Sequence, residues 1–525
     1  MRRRGHPGQR GEAGEQRKHS HRFILVQTGR RRIPAPGSGV VHSRMPALLT
    51  PGQTCWRTAR ADRFAAIIDA ADYFRHVKAA MLRARHRIML VGWDFDSRVT
   101  FERGDKTLPG PNQLGAFLFW MVRKRPALQI HLLKSNLRLL PALDGLWFGL
   151  TPVSLLNQIS SRRMHFAIDG AHPVGSVHHQ KIVVVDDAVA FCGGIDLTLD
   201  RWDTRAHEHT SRRRRTAGRG YGPRHDVGVA VDGAAARALG EQARTRWQTA
   251  TKQSLSPVTA KHSAWPSKLR PTLRNVDVGI ALTLPDLDDR PEVRQVEALN
   301  LAAIAAARDT IYVENQYLAS RTIAQALAQR LREEHGPQIV IVLARKGNNP
   351  LERGTMDSAR HRLIRLLWDA DEHHRLGVYW PVTDGGAPIY IHSKVLAVDD
   401  RLLRIGSSNF NNRSMGFDSE CDVAIEARGS QHDDVRREIT SVRNELVAEH
   451  LGVPVATLQE AIADRGSLLA AVEELRGDGK TLRPFTERTV ANEAGPLAEN
   501  ELMDPDHVPR SLTRSVQRLI TGRRG

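Results

Sequence analysis

Two segments of the chain combine a nucleophile, a cation and a carboxylate at one spacing. The first reads His178-His179-Gln180-Lys181-Ile182-Val183-Val184-Val185-Asp186; the second reads His392-Ser393-Lys394-Val395-Leu396-Ala397-Val398-Asp399. Each is His-x-Lys, four apolar residues, then Asp. A neutral imidazole attacks phosphorus well, and an imidazolium protonates an alkoxide leaving group. A neighbouring ammonium supplies charge where phosphoryl oxygens become negative. Residues two apart on a strand share a face, so the spacing predicts strands that present His179 with Lys181, and His392 with Lys394, to a ligand. His178 then faces the other way. Asp186 and Asp399 can pair with a cation or close a turn. One such segment alone would read equally well as a core strand with solvated ends; two at matching places do not.

A matching turn follows each cassette: Gly193-Gly194-Ile195-Asp196 and Gly406-Ser407-Ser408-Asn409. His179 to Gly193 and His392 to Gly406 are both 14 residues. Glycine lets a ligand approach backbone N–H groups closely, which marks Gly194, with Ser407, as phosphate support. Asn409 can donate to a phosphoryl oxygen, whereas ionised Asp196 cannot, so the two copies differ in duty. An acid then precedes a strand in each copy: Asp226 before Val227, and Glu420 with Asp422 before Val423. A carboxylate on the far nitrogen of a catalytic imidazole fixes its tautomer and raises its pKa. Asp226 and Glu420 are the candidates, with Asp422 as the substitute for Glu420.

The elements that must hold these residues are short β-branched runs alternating with helical patterns, an α/β signature. The first series is Ile88–Val91, Ile130–Leu133, Met164–Ala167, Ile182–Val185, Val189–Cys192 and Val227–Val231. The second is Ile311–Val313, Ile339–Leu343, Val378–Trp380, Val395–Val398, Leu402–Ile405 and Val423–Ile425. Met164 to Val378 is 214 residues and Ile182 to Val395 is 213, so one plan occurs twice. The expected fold is two repeated α/β units, each a mixed β-sheet flanked by helices, packed with pseudo-twofold symmetry around one shared active site. The expected boundaries are a disordered basic arm (1–48), a first unit (49–255), a linker (256–275, in a polar stretch from Thr249 with Pro257, Pro266 and Pro271), a second unit (276–453) and a partly helical, partly disordered tail (454–525). Asp72 is the expected cap of a helix burying Phe74, Val77 and Met81. Thr457–Leu475 has helical spacing with Gly466 inside it.

The paired cassettes resemble the phospholipase D superfamily, whose signature is His-x-Lys-x4-Asp occurring twice. The likeness spans about Cys55 to Val453. Phe191-Cys192-Gly193-Gly194-Ile195-Asp196-Leu197 with Arg201-Trp202-Asp203-Thr204, Ile311-Tyr312-Val313-Glu314-Asn315-Gln316-Tyr317, and Gly406 to Ser414 are similar to the lipid-hydrolysing branch. The resemblance implies a two-step phosphodiester exchange with no cofactor and no metal. His179 would form a phosphohistidine and His392 would serve as acid and then base; the reverse assignment stays open. Lys181, Lys394 and Asn409 would hold phosphate oxygens, and Asp186 and Asp399 would be structural. The implied reaction is hydrolysis of phosphatidylcholine-type phospholipids to phosphatidic acid. The alternatives are cardiolipin synthase-like phosphatidyl transfer and a phosphodiesterase acting on nucleic acid.

Composition bounds the rest. Lys+Arg 77 against Asp+Glu 58 leaves a net charge of +19. Residues 1–44 hold 11 basic and 2 acidic residues, so 11 − 2 = +9 lies there and 19 − 9 = +10 elsewhere. A basic surplus points to a polyanionic partner, here a phospholipid at a membrane surface, with nucleic acid second. Three scattered cysteines exclude a disulfide scaffold. No apolar run suits a spanning helix or a secretory signal, so a cytoplasmic monomer with peripheral contact at the inner membrane face is expected. Arg212 to Arg215, with His207 and His209, reads as a solvated loop that can dock on anionic lipid. Trp147 and Phe148 read as core, or as residues inserted at an interface.

Overall fold

The computed structural model describes residues 46–136, 162–216, 218–259, 261–287, 290–347, 356–428, 432–491 and 504. Trp147, Phe148, nearly all of the basic arm and most of 492–525 lie outside them. Seven strands build the first half: β1 (Arg57–Ile68), β2 (Arg87–Gly92), β3 (Gln129–Ser135), β4 (Met164–Asp169), β5 (Ile182–Val185), β6 (Val189–Gly193) and β7 (Val227–Asp232). Seven more build the second: β8 (Leu273–Leu284), β9 (Thr310–Asn315), β10 (Gln338–Leu343), β11 (Leu376–Val382), β12 (Val395–Val398), β13 (Leu402–Gly406) and β14 (Glu420–Glu426). One continuous mixed sheet contains all of them, in the order β4-β3-β2-β5-β6-β7-β1-β8-β14-β13-β12-β9-β10-β11, with β15 (Thr481–Pro484) at the edge beyond β11. The two sevenfold orders mirror each other about the β1–β8 pair. In each half three strands run parallel and the remaining pairings are antiparallel.

The four apolar residues of each cassette form β5 and β12, the central strands. Period-two alternation sends Ile182, Val184, Val395 and Ala397 to one face, and Val183, Val185, Leu396 and Val398 to the other. Helices cover both faces, so these strands are apolar throughout. Helices α1 (Ala70–Met81) and α2 (Leu114–Lys124) cover one face of the first half, and α3 (Gly233–Thr251) covers the other. In the second half α4 (Gln295–Ala306), α5 (Arg321–Arg332) and α6 (Ser358–Ala370) cover one face. Helix α7 (Asp433–Leu451), with α8 (Val455–Arg465) and α9 (Leu468–Leu475), covers the other.

Several expectations need correction. The seam strands β1 and β8, 12 residues each, are the longest among the described residues and stand outside both expected strand series. Strand β1 mixes Arg57, Arg60, Asp62 and Arg63 with alanines, and its charges are spent on cross-element pairs such as Arg57–Glu241 at 2.8 Å and Arg63–Asp232 at 2.6 Å. Strand β8 starts inside the expected linker, whose Trp265 is buried and donates its indole N–H to Leu269 O at 2.9 Å. Helix α1 begins at Ala70, so Asp69 and not Asp72 holds the cap position. Gly466, at φ +64°, splits the expected C-terminal helix into α8 and α9, and β15 from that same region joins the sheet. At the arm's end Leu48 is buried, with its N–H on the Glu426 carboxylate at 2.9 Å. Among the described residues no helix is long and apolar enough to cross a membrane.

Candidate active site

The His-x-Lys segments are extended backbone that runs just ahead of β5 and β12, rather than part of the strands. The reason lies in their hydrogen bonds. His179 N–H donates to Ser419 O at 2.9 Å, and His392 N–H donates to His225 O at 2.8 Å. Each cassette therefore lies against the residue that precedes the other half's carboxylate.

That crossing sets the imidazoles. His179 Nδ1 lies 3.1 Å from both Glu420 oxygens, and His392 Nδ1 lies 2.7 Å from Asp226 Oδ2. Both pairs join the two halves, and both leave Nε2 as the nitrogen available to a ligand. Asp422 is drawn elsewhere. It bonds Arg404 Nη1 at 2.5 Å and the Ser407 N–H at 2.9 Å.

The lysines fold back onto their own histidine carbonyls. Lys181 Nζ also pairs with Asp196 Oδ2 at 3.0 Å, whereas Lys394 Nζ meets the neutral Gln316 Oε1 at 3.1 Å. Asn409 is buried and its Oδ1 has no hydrogen-bond partner. Ser407 supports a carboxylate: its Oγ donates to Glu420 Oε2 at 2.5 Å, and Ser414 Oγ donates to Oε1 at 2.7 Å. Gly194 occupies the equivalent place, where a Cβ would sit 2.1 Å from Asp226 Oδ1. Asp186 and Asp399 lie away from the imidazoles. Asp186 accepts the N–H groups of Arg85, His86 and Arg87, and Asp399 those of Arg308, Asp309 and Thr310, at 2.5–3.0 Å. Both sit at positive φ, 54° and 53°, and close the turn after the strand. His178 faces Ser419 Oγ at 2.5 Å and Asp169 at 3.2 Å.

Burial governs the protonation of the site. It holds His179 well below the ordinary imidazole value, helped by Lys181 and Lys394; it does the same to His392, helped by Lys394 and Arg201. Burial raises Asp226 to about 7, against the pull of Lys394, and lowers Lys394 to about 7, against the pull of Asp226. Glu420 is pushed well above the usual carboxylate range by burial, with Lys181 opposing. Two neutral imidazoles thus face each other's supports, with cations beside them. The arrangement can attack phosphorus from one side and handle a proton on the other.

Gln316 and Trp93 were not singled out as site residues in the sequence. Gln316 follows β9 as Trp93 follows β2, and the Trp93 ring lies 6.4 Å from that of His179. The shared offset from two equivalent strands was the available signal. The arginine-rich loop is also not a simple solvated loop. Arg214 is buried on Asp203 at 3.1 Å, while Arg212 and Arg213 are exposed.

A sequence family described as cardiolipin synthase, PLD-like domain, matches residues 301–442, which hold the second cassette. The first half repeats both its strand order and its motif. The chain is similar to the phospholipase D superfamily. Phospholipase D alpha 4 of Arabidopsis thaliana is 22% identical, over 79% of this chain and 68% of that protein. Phospholipase D1 of Schizosaccharomyces pombe is 23% identical, over 78% of this chain but only 37% of the yeast protein. Other curated relatives are matched over about half their length or less. Phosphatidylserine synthase of Haemophilus influenzae shares the fold with a TM-score of 0.50 and 14% identity, over 80% of this chain and 97% of that one.

Proposed function

We propose that the chain exchanges the alcohol of a phospholipid phosphodiester through a phosphohistidine, and that it hydrolyses phosphatidylcholine-type lipids to phosphatidic acid. The observation that carries this reading is the pair of imidazoles, each held at Nδ1 by the other half's carboxylate, with a lysine beside each. His179 Nε2 forms the bond to phosphorus while the head-group C–O–P oxygen leaves with the proton of His392. The phosphate's negative charge and Asp226 favour that imidazolium. His392 then takes a proton from water as the water oxygen bonds phosphorus and the N–P bond breaks. Lys181, Lys394 and Asn409 hold the non-bridging oxygens. A recess lined by Arg345, Lys346, Trp380, Pro388, Ile389 and Tyr390 suits an amphipathic anion, and Tyr390 reaches Gln316, the partner of Lys394.

A second reading, transfer to an acceptor alcohol, is favoured by the description of the matching family. One incubation separates these readings. With phosphatidylcholine vesicles and a primary alcohol, both phosphatidic acid and the phosphatidyl alcohol are expected. The phosphatidyl alcohol alone, with no phosphatidic acid, selects transfer. Cleavage of DNA with neither lipid product overturns the lipid reading.

A further inference from the structure

A second buried cluster adjoins the active site and takes no part in the exchange. It gathers Asp69 at the start of α1, His207 in the loop after β6, His225 just before β7, and Glu449 on α7. All four are buried: Asp69 is 1% exposed, the two histidines 0%, and Glu449 8%. His207 Nε2 stands 3.3 Å from Asp69 Oδ2 and 3.1 Å from Glu449 Oε1. His225 Nδ1 stands 3.3 Å from Asp69 Oδ1 and 3.1 Å from the same Glu449 oxygen. Donors bonded at about 2.0–2.1 Å to one tetrahedral ion lie about 3.3 Å apart; the two edges to Glu449 Oε1 are close to that length, and one ligand atom from each of the four residues lies within 4.8 Å of the others.

Two further observations point to a ligand. Each histidine has its outer nitrogen anchored on a carboxylate. His207 Nδ1 is 3.2 Å from Asp203, and His225 Nε2 is 3.0 Å from Glu314. Metal-binding imidazoles are oriented by such outer carboxylates, and the inner nitrogens of both rings, His207 Nε2 and His225 Nδ1, converge on Glu449 Oε1. Asp69 Oδ2 is also buried without a hydrogen-bond partner, despite its closeness to His207. Buried polar atoms without partners are rare, and an ion between the four groups would satisfy this one. Asp69 and Glu449 bring two negative charges to a divalent cation, while Arg205 pairs with the other Glu449 oxygen and Asp203 and Glu314 stand behind the imidazoles. Nitrogen and oxygen donors in a closed set of four suit Zn2+ better than Ca2+ or Mg2+, which take more oxygens or keep water.

We propose that Asp69, His207, His225 and Glu449 bind one Zn2+ as a structural site. Three ligands come from the first half and Glu449 from α7 of the second, so the ion staples the halves. All four donors are consumed by it. His225 is followed by Asp226, so the staple fixes the peptide that aims Asp226 at His392; Glu420, which holds His179, lies outside it.

The test is metal analysis of the full chain. After dialysis, about one zinc per chain is expected, and the Co2+-loaded protein should show tetrahedral d–d bands with two histidine nitrogens in its X-ray absorption. Asp203→Asn, which leaves all four ligands in place, should weaken Zn2+ binding by about 10- to 100-fold. Glu449→Gln and His207→Ala should lose the ion. The proposal is overturned if wild-type protein refolded in excess Zn2+ or Co2+ retains neither. Full stoichiometry in folded His207→Ala overturns it too, since the metal then sits elsewhere. If the ligand variants do not fold, the wild-type spectrum and the Asp203→Asn affinity still decide.

Discussion

The first cassette ion-pairs its lysine, while the second leaves its lysine beside an uncharged amide. Lys181 meets Asp196 at 3.0 Å, and Lys394 meets Gln316 at 3.1 Å. The carboxylates differ as well. Glu420 receives hydroxyls from Ser407 and Ser414, while Asp226 packs against Gly194, where Ser407 has its counterpart. His179 keeps 16% of its side chain exposed against 7% for His392. The backbone plan is shared to the level of strand order, yet the neighbours of each reacting group have diverged. A duplicated scaffold supplies two imidazoles, and local substitutions give each its own charge environment. In the proposed exchange the more exposed and less tightly held ring, His179, takes the part of nucleophile. In the same proposal the ring with the short carboxylate contact, His392, takes the part of acid.

Breaking the equivalence of the two rings should have the largest effect. His179→Ala and His392→Ala should each lower turnover of a natural diester by on the order of 10⁴-fold, with circular dichroism unchanged. A diester with a nitrophenolate leaving group needs no acid for the first step. His392→Ala should then still trap a phosphoenzyme and His179→Ala should not; equal labelling of both variants would remove the division of labour.

A smaller effect is expected in the pH profile. As pH falls below about 7, Asp226 takes up a proton and no longer favours a positive His392; as pH rises above about 7, Lys394 loses its charge. kcat/KM should therefore peak near neutrality. Lys394→Arg should carry the basic limb upward, because guanidinium stays charged. A basic limb that stays in place would assign it to another group.

The smallest difference should separate the two turn aspartates. Asp186→Asn and Asp399→Asn should each cost on the order of 2 kcal/mol in urea unfolding, since each carboxylate accepts three backbone N–H groups. Asp186 has a further contact with His262 at 3.1 Å and should cost slightly more. A large gap between them would show that the halves are not equally dependent on this turn.

Much of this was legible in the chain itself. The central strands β5 and β12 were read to the residue, because four-residue apolar runs bounded by chemistry leave little choice of period or limit. The seam strands were not, because Ala, Arg and Asp in β1 carry no apolar alternation and its charges find partners distant in sequence. Arg214 was misread for a similar reason. A run of arginines looks solvated until Asp203 is brought within 3.1 Å of one of them.

The sequence by itself determined the repeat, the two His-x-Lys-x4-Asp cassettes and the acids that could support them, since residue type and spacing are properties of the chain. Only the tertiary structure decided which acid serves which histidine. Antiparallel pairing of β1 with β8 brings the two halves edge to edge. The first residues of each cassette then find their backbone hydrogen bonds on the opposite half, at Ser419 and at His225. Glu420 and Asp226 are the next residues along, so each carboxylate reaches the imidazole of the other copy. Backbone groups that must be paired on burial thus set the crossing, and no local spacing records it.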